Sequence, residues 1–221
     1  MSYKFTGAQT NRNTGGNILL QPTEYTVACW VKPSQVIFTK CISMRSAGGS
    51  GYSHEMDQSS VFYHYTYQGS AVTITGTTQL VANTWYHCAI TAKNGDYIQL
   101  WVNGLEEGAK ANATTLWASG DDFWTPASSG LGSAPFEGEL AEYCIWYKQL
   151  LPNELMKLAM GRVRGIPQTI QPDYLYLYYP MNDVAEGSIK TTDWKDLNTK
   201  SVLTQTRTNN VTGVGDIISY P

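Results

Sequence analysis

The segment from Thr84 to Val102 constrains the fold more than any other. Two strand-like runs, Thr84-Trp85-Tyr86-His87-Cys88-Ala89-Ile90-Thr91-Ala92 and Tyr97-Ile98-Gln99-Leu100-Trp101-Val102, flank Lys93-Asn94-Gly95-Asp96. Aromatic and β-branched residues favour strands, and Asn-Gly suits a two-residue type I′ turn whose twist matches the strands it joins. The segment therefore predicts an antiparallel hairpin. Period-two alternation sorts its faces: Tyr86, Cys88 and Ile90 are expected to share the core with Ile98, Leu100 and Val102, leaving Gln99 exposed. Asn103-Gly104 predicts a second turn, leading into a strand around Leu105 to Lys110.

Elsewhere β-branched and aromatic runs are broken every several residues by Gly, Asn, Pro or Ser, the punctuation of an all-β, two-sheet antiparallel sandwich. A single segment, Pro152 to Met160 ended by Gly161, predicts a short surface helix, with proline in its first turn and glycine at its end. Leu155 and Leu158 should pack on the sandwich while Lys157 faces water. The 221 residues suit one domain, which at this length buries enough surface to need no metal or disulfide.

The formal net charge of −3, with 18 Asp plus Glu against 15 Lys plus Arg, offers no basic stripe for phosphates, so nucleic acid is excluded as a partner. No run approaches the ~20 apolar residues of a membrane span, and Met1 to Thr6 lacks the apolar core of a secretory signal. The expectation is a chain made in the cytosol. Cys29, Cys41, Cys88 and Cys144 show no Cys-x-x-Cys spacing, and three of them lie in apolar strand-like runs. Buried free thiols are expected, with an inter-sheet disulfide as the alternative in an oxidising compartment.

Four pieces in order carry a resemblance. They are Tyr25 to Pro33, then Trp85-Tyr86-His87 with Leu100-Trp101-Val102-Asn103-Gly104, then Phe136 to Glu142 with Ile145-Trp146, and last Leu150 to Gly161. In order and spacing the chain resembles the laminin-G-like and pentraxin-like jelly rolls of the concanavalin A-like lectin/glucanase group across roughly residues 3 to 161. The resemblance implies a jelly-roll core over 1–165, with Trp85 and Trp101 in the hydrophobic sandwich and the segment ending at Ile145-Trp146 returning beside the first strand. The Tyr-rich β tail, 166–221, departs from a minimal member. Tyr174 to Tyr179 would be apolar on both faces and must dock on the same sandwich or on a partner.

Enzymes of this group carry Glu-x-Asp-x-x-Glu on one strand. Here Glu55 and Asp57 are present but Ser60 stands at the last position, and retaining hydrolysis needs two carboxyl groups about 5 to 5.5 Å apart. No enzyme activity is expected. His54, His64 and His87 lack metal-ligand spacing, so no metal site is assigned. No cofactor is expected, calcium being left open: some relatives bind it, but Asp121-Asp122, Glu137, Glu139 and Asp96 do not establish the six to eight oxygens it takes.

The candidate ligand-binding residues are Trp117, Asp121, Asp122, Phe123 and Trp124, in the stretch Leu116 to Pro126. Aromatic rings beside carboxylates suit sugar stacking or a protein contact. Two functions follow. The first is a non-enzymatic interaction protein decorating a larger assembly, such as a viral capsid at the virion surface, with glycan adhesion as an addition and self-association left open. The second is a free-standing carbohydrate-binding lectin.

Overall fold

A computed structural model of the chain describes residues 3–6, 10–13, 23–36, 40–47, 50–56, 61–67, 71–113, 123–126, 134–161, 165–179 and 205–208. One sheet is built on β1 (Tyr3–Thr6), β3 (Glu24–Pro33), β8 (Tyr86–Lys93), β9 (Asp96–Val102), β10 (Leu105–Ala113), β13 (Glu137–Trp146) and β14 (Leu175–Tyr179). Its order is β1-β13-β3-β8-β9-β10, with β14 beside the far half of β13. The second sheet holds β4 (Lys40–Ala47), β5 (Ser50–Met56), β6 (Val61–Tyr67), β7 (Ala71–Gln79), β11 (Phe123–Pro126) and β12 (Ala134–Pro135). It runs β11-β4-β5-β6-β7, with β12 parallel to β4. A small pair joins β2 (Thr10–Asn13) to β15 (Gln205–Thr208).

The hairpin forms with the expected faces. Ile90 stands opposite Leu100 and Cys88 opposite Val102. These residues, with Tyr86 and Ile98, enter a cluster between the sheets that also takes Phe62 and Ile74 from the second sheet. The two turns differ from each other. Asn103 (φ 51°) and Gly104 (φ 80°) both take the left-handed conformation between the paired Val102 and Leu105, as type I′ requires. At the first turn only Gly95 does (φ 71°), so the expected type I′ geometry at Asn94-Gly95 is absent. Contacts with neighbouring chain hold that turn instead: Asn94 N–H donates to Thr23 O and Gly95 N–H to Ala113 O, both at 2.8 Å.

The main sheet is covered on both sides. Ala28, Ala89, Trp101, Cys144 and Trp146 point away from the second sheet and pack with Leu150, Leu155, Leu158, Ile170 and Leu175. The helix α1 (Pro152–Ala159) supplies Leu155 and Leu158, with Lys157 exposed, as the sequence predicts. The Glu154 carboxylate accepts from the Leu151 N–H at 2.8 Å and so caps its first turn. The 3-10 turns Pro167–Thr169 and Pro172–Tyr174 follow, and Trp146 Nε1 donates to Ile170 O at 2.7 Å. Double coverage explains why β3 and β13 are buried almost end to end. Tail residues 175–179 dock in cis against β13: Tyr176 enters the inter-sheet core and Leu175 the outer cluster.

This covering overturns two expectations. Trp101 is buried in the outer cluster, its Nε1 donating to Thr91 Oγ1 at 3.0 Å, and Trp85 lies half-buried against Trp30 and Ala141, so neither tryptophan sits between the sheets. Gln99 is fully buried, not exposed. Its Nε2 donates to Leu100 O at 3.0 Å and to Glu107 O at 2.8 Å. Gln99→Ala should therefore cost about 2 kcal/mol in denaturant unfolding, because truncation leaves buried carbonyls without a donor; a loss under about 0.5 kcal/mol would contradict this placement.

Glu107 ties the two sheets at one edge. Its Oε2 accepts from Thr77 N (2.6 Å), Thr78 N (2.9 Å) and Thr77 Oγ1 (2.8 Å), and its Oε1 accepts from Thr78 Oγ1. Burial pushes this carboxyl upward, but the hydrogen bonds from Thr78 and Thr77 outweigh it and hold the group below 4.5.

Candidate functional site

Strand register places the functional candidates. Trp117, Asp121 and Asp122 lie outside the described residues, as do Asp57 and Ser60. Phe123 and Trp124 fall on β11, not in a loop, and pair with Ser46 and Arg45 of β4. Successive strand residues face opposite sides of a sheet, so these two aromatic positions belong to different faces.

Rows across the second sheet show which face each takes. One row runs Thr125, Met44, Ser53, Tyr65, Thr73; the next on the same side runs Cys41, Glu55, Tyr63, Thr75; a third runs Phe123, Ser46, Gly51, Tyr67, Ala71. Thr73 and Thr75 are exposed. The alternate rows end on Val72, which packs against the core, and on the buried Ile74. By register Phe123, Tyr63, Tyr65, Tyr67 and Glu55 therefore fall in the rows on the side of the exposed Thr73 and Thr75, while Trp124, Arg45, His54 and His64 fall in the alternate rows. The tyrosine positions were not singled out from the sequence. Their signal is Tyr63-His64-Tyr65-Thr66-Tyr67, three tyrosines at the strand period.

Register also brings His54 directly opposite His64. Of the calcium candidates, Asp121 and Asp122 lie outside the described residues, Glu139 pairs with Lys32 at 2.9 Å, Glu137 accepts from Gln35 Nε2, and Asp96 is exposed at the first turn. Among the described residues no group of three or more His, Cys, Asp or Glu could hold a metal ion, and no helix is long and apolar enough to cross a membrane. Cys29, Cys88 and Cys144 are free and buried, Cys29 opposite Cys88; Cys41 lies on β4. Burial pushes the Cys29 thiol up to about 12, which leaves it unreactive.

A separate small cavity lies under α1, lined by Trp30, His87, Glu142, Cys144, Gly161 and Gly165 among others. Its geometry comes from a bulge. Between Ala141 and Cys144 the β13 register against β3 slips, Glu142 takes φ 50°, and the core positions step from Leu140 to Tyr143 to Ile145. Tyr178 Oη donates to Glu142 Oε2, and Cys144 Sγ donates to Glu142 O at 3.2 Å. His87 is buried against Trp30, ring centroids 5.5 Å apart, and its Nδ1 has no hydrogen-bond partner among the described residues. Burial lowers its pKa to about 3, so the imidazole is neutral at any physiological pH.

The two facing sheets, their antiparallel pairings and, among the described residues, one surface α-helix define an all-β jelly-roll sandwich. The chain belongs to the concanavalin A-like lectin/glucanases superfamily, its laminin G family model matching residues 6–156. No curated protein matches the sequence. Among solved structures it is similar to a carbohydrate-binding protein of Bacteroides ovatus described as putative (16% identity, TM-score 0.64, 97% of this chain and 61% of that one). It is also similar to a heptameric SAP-like pentraxin from Limulus polyphemus (17%, 0.57, 75% and 83%). A third likeness is domain 4 of an extracellular arabinanase from Geobacillus stearothermophilus, solved with arabinotriose (16%, 0.58, 72% and 76%).

Proposed function

We propose that the chain is a non-catalytic glycan-binding module whose binding surface is the solvent side of the second sheet. The observation that carries this reading is the register of Tyr63, Tyr65 and Tyr67 with the exposed Thr73 and Thr75. Aromatic faces bind the apolar faces of sugars and neighbouring hydroxyls bind their rims. Glu55 is the one carboxylate in those rows among the described residues, and retaining hydrolysis requires two. The glycan-binding names of the Bacteroides and arabinanase structures support this reading ahead of capsid decoration. A place on a virion surface belongs to the second reading, in which the same face serves as an adhesin.

Tyr65→Ala should reduce glycan binding by at least tenfold on an array and in titration, while the melting temperature stays within a few degrees. Undiminished binding by this variant would overturn the assignment of the face.

A further inference from the structure

We propose that the cavity under α1 is a binding site for one long-lived internal water, which bonds His87 Nδ1 and joins the main sheet to the layer covering it. The lining residues Ala28, Cys144 and Leu158 belong to the outer cluster, on the side of the main sheet away from the second sheet. The inference is therefore independent of the glycan-binding reading.

His87 carries the proposal. It is 2% exposed, it lines the cavity, and its Nδ1 has no hydrogen-bond partner among the described residues. Its main chain is already committed to the neighbouring strand end: the His87 N–H donates to Asn103 Oδ1 at 2.9 Å, and the His87 carbonyl accepts from the Asn103 N–H at 2.8 Å. Buried polar atoms in native proteins are bonded either to protein or to ordered water, because leaving one unmet costs its full desolvation.

The walls suit water in size and in chemistry. The cavity has room for one water-sized molecule, so a sugar ring cannot enter it. Its other polar groups include acceptors that already hold one donor. Glu142 Oε2 accepts from Tyr178 Oη, and Glu142 O accepts from Cys144 Sγ at 3.2 Å. Gly161 and Gly165 have no side chains and so present main chain to the cavity, where Gly161 O accepts from the Gly165 N–H at 2.9 Å. Each of these oxygens keeps a further lone pair. Water can give one proton to Nδ1 and the other to such an oxygen, which links β8 to the bulge of β13 and to the chain that follows α1. A metal ion does not fit, since among the described residues no group of three or more His, Cys, Asp or Glu could hold one.

The test is solution NMR of the full chain, combining water-selective cross-relaxation at the His87 ring protons with relaxation dispersion of the solvent oxygen. The ring protons should show a cross-peak to water with the sign of a molecule that tumbles with the protein. In His87→Phe, which keeps an aromatic ring but removes both nitrogens, the dispersion amplitude should fall by about one water per chain. Should that variant fail to fold, the cross-peak in the unmodified protein decides alone. A ring that sees no water, or sees only water exchanging as fast as surface water, overturns the proposal. An unchanged amplitude in folded His87→Phe overturns it as well.

Discussion

Gly138→Ala should unfold much of this protein, whereas Gly95→Ala should barely disturb it. At Gly138 the backbone takes φ 143°, and an added Cβ would sit 2.2 Å from Lys32 O and 2.9 Å from Pro33 Cα. Neither neighbour is a flexible side chain. Gly138 pairs with Pro33 near the start of β13, where that strand is held between β1 and β3, so relief requires separating two backbones. Strain of about 1–3 kcal/mol from the dihedral adds to about 1–3 kcal/mol of overpacking, an expected loss near 4 kcal/mol. Gly95 also has positive φ, at 71°, but nothing lies within 4 Å of its Cβ, which leaves only about 1 kcal/mol of conformational strain. Urea melts of the two variants check the contrast, and equal losses would mean that β13 and β3 are not so closely apposed.

Acid should destabilise the fold from about pH 6.5 downward through His87, above the range in which the lowered carboxyls of Glu107 and Glu24 act. The folded pKa is depressed to about 3 from an ordinary 6.5, because burial disfavours the imidazolium. The unfolded chain therefore binds more protons across that interval, and stability falls as pH falls through it. The slope approaches roughly 1.4 kcal/mol per pH unit, amounting to about 5 kcal/mol in full. Glu107 and Glu24, whose pKa values lie below 4.5 in the fold, act in the same direction but only at lower pH. Glu24 is raised by burial, yet its bonds from Lys148 and Gln149 prevail. Subtracting the stability curve of His87→Gln from that of the parent isolates the histidine. A flat difference between pH 6.5 and 4.5 would show that His87 reaches a proton without unfolding.

The features legible in the sequence were those fixed by local chemistry. Asn103-Gly104 formed the turn its residues favour, Pro152 and Gly161 bracket the helix, and Tyr86, Cys88, Ile98 and Leu100 follow the strand period inward. The errors arise where distant chain decides the environment of a residue. Gln99 looked like an outward polar residue, and β10 covers it with the Glu107 carbonyl. Asn94 lost its expected conformation because distant chain, at Thr23 and Ala113, satisfies the turn. For the site, alternate tyrosines on β6 were visible as a pattern, but the side of their rows was set by burial along the next strand, where Thr73 and Thr75 are exposed and Ile74 is buried. Phe123 and Trp124 looked like one aromatic cluster until a strand divided them.

A sheet clothed on both sides and a sheet with one side open to water are unequal partners under mutation. Nearly every residue of β3, β8 and β13 touches packed neighbours, so drift there is filtered by stability. Along β7, by contrast, Thr73, Thr75 and Gln79 meet solvent, and exchanges at such positions generally change stability by no more than ~0.5 kcal/mol. Descendants of this chain can consequently alter what the open side touches while the clothed side holds still, and recognition in this lineage should diverge faster than its architecture.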